Sequence, residues 1–437
     1  MKQKILAVAC AVCFVLSVVC ILSGCDNGEN AGITDARINN NGELILIYED
    51  GRQQNLGTVV GSDGADGQNG SMVISGDGSN VSAASAKGLM SAVSIICNFQ
   101  TTVYQGGWGP GFGNTTTQEY SAAGSGVIYQ LDKAAGDAFI ITNYHVVYDA
   151  SSNTENGISN DISIYLYGSE IEEKAIPATY VGGSLYYDIA VLRVEDSQIL
   201  RSSQACQVEA VDSDTVVVGD SAIAIGNAQG YGISASLGIV SVDSEYITMT
   251  AADGWTSVSF RVFRVDTAVN SGNSGGGLYD GQGNLIGIVN AKIVDDGVEN
   301  IGYAIPSNVA IAIAENIIDY CYGTQVERVQ RALLGISVAT SDSRAVYDGE
   351  TGSVHIEEQV YVYEVTKNSL AEGLLQAGDV LLSASVNDQT TQITRQYHVI
   401  DMMLSVRVGD TVSFVILRDG QETTVDITIT ADCLTAY

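Results

Sequence analysis

The feature that most constrains the fold is a series of short apolar segments between residues 86 and 305. Examples are residues 126–129, 138–141, 189–194 and 285–289, with turn-forming residues between them at short intervals. Segments with this spacing predict a β-sandwich or a β-barrel. The chain is also 46% hydrophobic, with 48 Gly among 437 residues, which supplies a core and argues against a disordered protein.

Different patterns flank this β-rich region. A helix is predicted over residues 309–320, opened by Pro306-Ser307 and ended by Gly323. The remaining C-terminal residues mix predicted strands with two short helical patterns. We therefore predict four parts: a targeting segment over 1–24, a Gly- and Asp-rich tether over 25–85, a β domain over 86–323, and a smaller α+β domain over 324–437.

The N-terminus is typical of an export signal. Lys2 and Lys4 precede an apolar stretch, residues 5–21, which suits a signal sequence and is short for a membrane span. Leu22-Ser23-Gly24-Cys25 resembles the bacterial lipobox, in which the cysteine is lipidated; a plain secretory cleavage site is the alternative. We expect a lipoprotein anchored through Cys25 on the outer face of the cytoplasmic membrane, where Asp26 would by analogy favour retention.

The tether contains two recognisable patterns. Residues 36–48 predict a small hairpin that turns at Asn39-Asn40-Asn41-Gly42. Glycine then recurs at every third position from Gly61 to Gly70, but so few triplets without proline do not form a stable collagen helix. This part is predicted to be a flexible linker.

The charge balance and the spacing of the cysteines argue against several kinds of partner and against a metal site. The chain has 51 Asp and Glu against 19 Lys and Arg, so nucleic acid is not an expected partner and direct adsorption to anionic lipid is disfavoured. Beyond the signal segment and Cys25, the cysteines form no C-x-x-C pair, which argues against a metal site. An exported location permits disulfides. The sequence therefore does not decide whether the remaining four cysteines form disulfides or are free thiols, and they are Cys97, Cys206, Cys321 and Cys433.

A glycine-rich segment carries the strongest functional signal. Residues 272–277 read Gly-Asn-Ser-Gly-Gly-Gly. A serine hydroxyl attacks a carbonyl when a base removes its proton, and the oxyanion that forms needs backbone N–H donors. Gly272 allows its own N–H and that of Ser274 to point into one site, and the later glycines allow close approach of a substrate. Ser274 is therefore the candidate nucleophile.

The spacing Gly272-x-Ser274-x-Gly276 also fits the nucleophile elbow of α/β-hydrolases. An elbow requires a helix after the serine, whereas residues 279–284 predict a turn before a strand. The elbow family also places its histidine after the serine. In the β domain the one histidine, His145, comes first, Asp188 follows directly before an apolar segment, and the order is that of chymotrypsin-like proteases.

Taken together, these motifs resemble the HtrA family of exported serine proteases. Five segments carry the resemblance, and they are residues 142–147, 188–192, 224–227, 272–276 and 302–308. The resemblance implies a mainly β, chymotrypsin-like fold of two six-stranded β-barrels with the active site in the cleft between them. It also implies a homotrimer and no cofactor or metal.

The resemblance assigns a role to each catalytic group. Ser274 attacks the peptide carbonyl, His145 takes its proton and returns it to the leaving amine, and Asp188 orients His145. The N–H groups of Gly272 and Ser274 form the oxyanion hole. Digestive proteases of this fold carry Asp where this chain has Asn273, so activation through a freed N-terminus is disfavoured.

Two further sites follow from the resemblance. The strand formed by Ala291, Lys292 and Ile293 is expected to edge the specificity pocket, although family members usually have apolar residues there and Lys292 departs from that pattern. The C-terminal unit resembles a single PDZ domain, in which Leu333-Leu334-Gly335-Ile336 would bind the carboxylate and first residues of a C-terminal peptide.

The sequence thus predicts a serine endopeptidase that degrades misfolded or exposed polypeptides outside the cytoplasm, for protein quality control. Two alternatives remain. One is an inactive or weakly active scaffold that binds unfolded chains, which a complete triad argues against. The other is a lipid-ester hydrolase, which the chain order and the lack of a predicted helix after Ser274 disfavour.

Overall fold

The computed structural model describes residues 33–39, 43–58, 80–106, 113–169, 171–293 and 300–436. The predicted signal segment, Cys25 and the glycine triplets of the tether lie outside the described residues. The chain divides into two compact units, residues 1–70 and 71–437. In the described ranges, no helix combines the length and apolar character needed to cross a membrane.

The first unit contains an antiparallel sheet of three strands in chain order. They are β1 (Ile33–Ile38), β2 (Glu43–Tyr48) and β3 (Gln53–Thr58). The hairpin predicted over residues 36–48 falls on the first two strands. The third strand was not predicted, because its sequence Gln-Gln-Asn-Leu-Gly-Thr has only Leu56 as a large apolar residue.

The second unit begins with helix α1 (Val81–Ser91), which the sequence analysis left within the tether and the start of the β domain. Asn80 caps this helix, since its side chain accepts the N–H of Ala83 at 3.2 Å. The helix packs on the second barrel, where the hydroxyls of Ser91 and Tyr279 are hydrogen bonded at 3.0 Å. The helix therefore attaches the N-terminal end of this unit to the second barrel, although the chain continues from it into the first barrel.

The first barrel is closed and antiparallel, with strand order β4-β5-β6-β9-β8-β7. Its strands are β4 (Ala92–Gly106), β5 (Gly113–Asp132), β6 (Asp137–Thr142), β7 (Asp161–Leu166), β8 (Ile176–Ser184) and β9 (Ile189–Val194). Helices α2 (Tyr144–Val147) and α3 (Gln198–Ser202) follow β6 and β9. Ile95, Ile140, Ile164 and Leu192 are among the fully buried residues of its core.

The second barrel is also closed, with order β10-β11-β12-β15-β14-β13. Its strands are β10 (Ser221–Gly226), β11 (Ser234–Thr250), β12 (Ser257–Val265), β13 (Gly277–Tyr279), β14 (Leu285–Val289) and β15 (Gly302–Pro306). Helix α4 (Ser307–Cys321) follows and buries Val309, Ile313 and Ile317 against the barrels. The two closed barrels confirm the predicted chymotrypsin-like fold.

The C-terminal domain is a smaller α+β unit. Short strands β16 (Gln330–Ala332) and β23 (Leu434–Ala436) pair with each other. The main sheet consists of β17 (Ile336–Tyr347), β18 (Val354–Val365), β19 (Val380–Val386), β20 (Gln389–Gln392), β21 (Thr411–Arg418) and β22 (Gln421–Thr428). Helix α5 (Gln396–Ser405) covers this sheet, and consecutive turns occupy residues 367–374.

One buried arginine joins the C-terminal domain to the second barrel. Arg261 lies on β12, and only 1% of its side chain is exposed. Its guanidinium contacts Asp214 Oδ1 at 2.8 Å and Asp401 Oδ2 at 3.2 Å, and it stacks 3.7 Å from the ring centroid of Tyr397. Since Tyr397 and Asp401 belong to α5, this helix is packed between its own sheet and the second barrel.

Candidate active site

A histidine and an aspartate meet at one edge of the first barrel, where β6 ends and β9 begins. His145 lies in α2, just after β6, and Asp188 directly precedes β9 with a left-handed backbone (φ +55°). His145 Nδ1 lies 2.6 Å from Asp188 Oδ2, and the His145 N–H donates to Asp188 Oδ1 at 2.9 Å. A carboxylate so placed keeps the proton on Nδ1 and leaves Nε2 as the basic atom.

Two asparagines that the sequence analysis missed support the aspartate. Asn290, directly after β14, donates from Nδ2 to Asp188 Oδ2 at 2.8 Å. Asn143, directly after β6, donates from Nδ2 to the backbone carbonyl of Asp188 at 2.8 Å. Both are fully buried. Their position after a buried strand was a usable signal, because a buried amide must find hydrogen-bond partners.

The serine lies on the second barrel, across the cleft from the histidine. Ser274 is 4% exposed, and its Oγ accepts the N–H of Ala291 at 3.2 Å. Within the described residues no hydrogen bond joins His145 Nε2 to Ser274 Oγ. Hydrogen bonds of this kind often tighten only in the Michaelis complex, so the geometry is compatible with general-base catalysis.

The backbone around Ser274 is arranged as an anion site. Gly272 has φ +95°, and a Cβ atom there would lie 2.2 Å from the carbonyl oxygen of Asn227, so only glycine fits. In the part of the chain that the structure describes, the N–H groups of Gly272 and Ser274 donate to no protein acceptor. Two free N–H groups beside a serine hydroxyl are what a developing oxyanion requires.

The segment expected to edge the specificity pocket is not a strand. Ala291–Ile293 forms a 3-10 turn instead of the predicted strand. The cause is Asn290, whose Oδ1 accepts the N–H of Lys292 at 3.2 Å, a local bond that competes with extended backbone. Desolvation lowers the pKa of Lys292, while the nearby carboxylates of Asp188 and Asp253 oppose that shift.

A groove of about 760 Å³ lies beside the histidine-bearing helix. Its aromatic lining residues are Tyr144, Tyr148, Tyr180, Tyr186 and Trp255. Trp255 is 77% exposed at the turn between β11 and β12, and that turn is fixed because Asp253 accepts the N–H groups of Trp255 and Thr256 at 3.1 and 2.9 Å. The groove combines these aromatic rings with polar and charged lining residues such as Glu155, Asp253 and Glu327.

The chain is similar to known proteases along most of its length. Residues 124–288 match the trypsin-like peptidase domain family, and residues 332–429 match the PDZ domain family. "Serine protease Do-like HtrA" of Bacillus subtilis (strain 168) is 31% identical over 77% of this chain and 70% of the relative. The chain belongs to the HtrA family of serine proteases.

A second relative agrees with the HtrA assignment. "Periplasmic serine endoprotease DegP" of Escherichia coli (strain K12) is 30% identical over 75% of this chain and 61% of the relative. The solved structure titled "HtrA-type protease AlgW with decapeptide" is 24% identical, with a TM-score of 0.49, over 80% of this chain and 98% of that one. This HtrA family member is a serine endopeptidase with a trypsin-like domain and a PDZ domain.

The predicted peptide-binding residues of the PDZ domain lie in the loop that leads into β17. Leu334 is buried, and Gly335 is left-handed (φ +78°) with its carbonyl accepting the N–H of Thr366 at 2.7 Å. Leu333 is 40% exposed, and Ile336 begins the strand. Across from this strand, Gln396 at the start of α5 donates to the carbonyl of Val338 at 3.0 Å.

All four cysteines of the described residues are free thiols. Cys97 and Cys321 are buried, and Cys206 and Cys433 are partly buried. Burial raises the pKa of Cys97 to about 12 and that of Cys321 to about 11. These two thiols therefore behave as core residues and carry little thiolate at neutral pH.

Proposed function

We propose that His145, Asp188 and Ser274 are the catalytic triad of this endopeptidase. The observation that carries the proposal is the 2.6 Å contact between His145 Nδ1 and Asp188 Oδ2, which leaves Nε2 as the base for the serine across the cleft. Ser274 would attack the peptide carbonyl while His145 takes its proton. The same proton would then go to the leaving amine, and water would release the acyl group by the reverse route.

The N–H groups of Gly272 and Ser274 are the proposed oxyanion hole. Asp188 would stabilise the charged histidine, with Asn290 holding the same carboxylate oxygen. Ala291, Lys292 and Ile293 are proposed to contact the substrate beside the cleft, since the Ala291 N–H already reaches Ser274 Oγ. No cofactor enters this scheme.

The proposed domains are a protease domain over 86–323 and a PDZ domain over 324–437. We propose that Leu333-Leu334-Gly335-Ile336 binds the C-terminal carboxylate of a peptide, which adds as a strand to β17. A hydrophobic peptide with a free carboxylate should then bind more tightly than the same peptide with a C-terminal amide, measured by fluorescence anisotropy.

We further propose a lipoprotein anchored by Cys25 on the outer face of the cytoplasmic membrane, acting there as a homotrimer on misfolded polypeptides. The lipobox-like sequence supports the anchor, and the family supports the place and the class of substrate. Loss of membrane attachment in Cys25→Ala, measured by cell fractionation, is the expected result.

Casein digestion by the full-length chain, beside its Ser274→Ala variant, tests the proposed nucleophile. We expect cleavage by the parent and a rate about 10⁶-fold lower in the variant, because removing the nucleophile disables the triad as a unit. Unchanged cleavage by Ser274→Ala would refute the assignment. No cleavage by either protein, with aggregation of an unfolded client still suppressed, would favour the scaffold alternative.

A further inference from the structure

One serine of the first barrel contacts both residues that supply the proposed oxyanion hole. Ser125 lies on β5 and is fully buried. Its hydroxyl donates to the carbonyl of Gly272 at 2.7 Å, and its N–H donates to the carbonyl of Ser274 at 2.8 Å. The carbonyl groups of both donor residues are therefore held from the opposite side of the cleft.

A third bond orients the Ser125 hydroxyl. Its oxygen accepts the N–H of Asn227 at 2.8 Å, so its own proton is directed to Gly272. Asn227 is itself immobilised, because its Nδ2 donates to Ser94 Oγ at 2.5 Å and its Oδ1 accepts the N–H of Gly232 at 2.8 Å. The chain of bonds is buried from Ser94 to Gly272.

The peptide before Gly272 is held by a separate bond. Gln229, with a left-handed backbone (φ +57°), donates its N–H to the carbonyl of Ser271 at 2.7 Å. In a planar trans peptide the carbonyl and the next N–H point in opposite directions. This bond therefore fixes the direction of the Gly272 N–H, while the Ser125 hydroxyl fixes the peptide that follows.

We propose that the Ser125 hydroxyl is a positioning group for peptide hydrolysis, because its bond to the Gly272 carbonyl holds the peptide that lies between the two N–H donors of the oxyanion hole. The inference rests on the proposed roles of Gly272 and Ser274. Without the hydroxyl, the buried Gly272 carbonyl loses its partner, and the peptide rotates to find another. Hydrogen bonds weaken steeply with angle, so such a rotation weakens the oxyanion hole.

The experiment compares Ser125→Ala with Ser159→Ala in the full-length chain. Ser159 is a matched control, because it is also buried and its hydroxyl also bonds two backbone groups. The hydroxyl donates to the Asn98 carbonyl at 2.7 Å and accepts the Asp161 N–H at 3.2 Å. The readouts are kcat and KM on a fluorogenic peptide, the melting temperature, and the inhibition constant of a peptide boronate. Bonding of Ser274 Oγ to the boron makes it tetrahedral and places an oxygen in the oxyanion hole.

For Ser125→Ala we expect kcat to fall about tenfold to a hundredfold. This loss is smaller than the roughly 10²–10³-fold fall in kcat that follows removal of a whole oxyanion donor, because the donor is displaced and not removed. KM should stay within about twofold, and the boronate inhibition constant should rise in step with the loss of kcat. Ser159→Ala should lower the melting temperature and leave kcat unchanged. Ser125→Cys, which keeps the shape and a weak donor, should give an intermediate kcat and serves if the alanine variant does not fold.

Three results would overturn the inference. One is a folded Ser125→Ala protein with kcat within twofold of the parent while Ser274→Ala is inactive, which refutes the positioning role alone. Another is an equal loss of kcat in Ser159→Ala, which shows general destabilisation. An active Ser274→Ala protein refutes the proposed nucleophile, and this inference with it.

Discussion

Asn290 binds the same carboxylate oxygen of Asp188 that faces His145. Its Nδ2 lies 2.8 Å from Asp188 Oδ2, and His145 Nδ1 lies 2.6 Å from that atom. The other oxygen of the carboxylate accepts the backbone N–H of His145 at 2.9 Å. A carboxylate held by donors on both oxygens has one orientation, and the histidine ring takes its position from it.

Replacing Asn290 with alanine should lower kcat about tenfold and leave KM nearly unchanged. A hydrogen bond to a charged group contributes about 1.5–3 kcal/mol, and its loss frees the carboxylate to rotate away from His145. Asn316→Ala is the control, because Asn316 is equally buried but bonds the backbone of Gln330 at 2.8 and 2.9 Å, away from the triad. Steady-state kinetics that show the same kcat loss in both variants would contradict the role of Asn290.

Gly275→Ala should lower kcat by at least about 10²-fold. Gly275 has φ +83°, and an added Cβ would lie 2.2 Å from the Ser125 carbonyl oxygen and 2.3 Å from Thr142 Oγ1, so the segment carrying Ser274 must shift. A displacement of about 1 Å at a reacting group costs roughly 10²-fold in rate.

The matched control for that variant is Gly373→Ala. Gly373 has φ +80°, but nothing lies within 4 Å of the added Cβ, so the variant carries only the backbone strain of about 1–2 kcal/mol. Its melting temperature should fall and its kcat should not. Casein digestion and thermal melting of both variants separate steric displacement from strain.

Asp401→Asn should flatten the dependence of stability on pH. Burial raises the pKa of Asp401 to about 7, against the opposing effect of Arg261. In the folded protein the group keeps its proton above the pKa of the unfolded chain, so stability falls as pH rises from about 4 to 7, by at most about 1.4 kcal/mol per unit. The asparagine variant should therefore be at least as stable as the parent at pH 8.

Urea unfolding at pH 5 and pH 8 measures this effect. Asp319→Asn is the control, because Asp319 also bonds an arginine, Arg407, at 2.9 Å but is 56% exposed. An exposed pair contributes about 0–1 kcal/mol, so this variant should keep the pH dependence of the parent. An Asp401→Asn protein with the same pH dependence as the parent would show that another group titrates.

Asn273→Asp should destabilise the protein by about 3 kcal/mol at pH 8. The Asn273 side chain is buried, and its Nδ2 donates to the Ala268 carbonyl at 3.2 Å. An aspartate there would place a carboxylate against a carbonyl without a cation, which raises its pKa and costs stability as a buried unpaired charge. The stability of the Asn273→Asp protein should recover as the pH falls. Asn273→Ala should lose less stability, and that loss should not depend on pH. Urea unfolding measures the stability of both variants.

The barrels could be predicted from the sequence because many of their strands contain a short apolar segment and turns separate these segments. The predicted segments 189–194 and 285–289 coincide with β9 and β14. The helix predicted over residues 309–320 lies within α4. Helix α1 was missed, because residues 81–91 are mainly small and polar and its capping residue Asn80 sits in a region read as linker.

The site was only partly predictable for a physical reason. Nucleophile, base and acid belong to residue types with distinctive chemistry, so His145, Asp188 and Ser274 were candidates from the sequence alone. Ser125 and Asn290 hold these groups through hydrogen bonds from their side chains. The Ser125 hydroxyl bonds the backbone beside Ser274 and the Asn290 amide bonds Asp188, and each bond joins residues that are 100 or more positions apart in the chain. Local sequence does not show which distant group such a bond reaches, and a local Asx bond also turned residues 291–293 away from the strand that the resemblance implied.

The bonds of Ser125 have a mechanical consequence for the enzyme. They bridge the two barrels at 2.7 and 2.8 Å beside the nucleophile, and a separation of about 1 Å would break them. The bonds therefore oppose separation of the barrels at Ser274, and a polypeptide that entered by moving the barrels apart would have to break both of them. A bound chain would therefore meet a fixed base at Ser274, whereas the exposed turn at residues 253–256 lines the groove beside it.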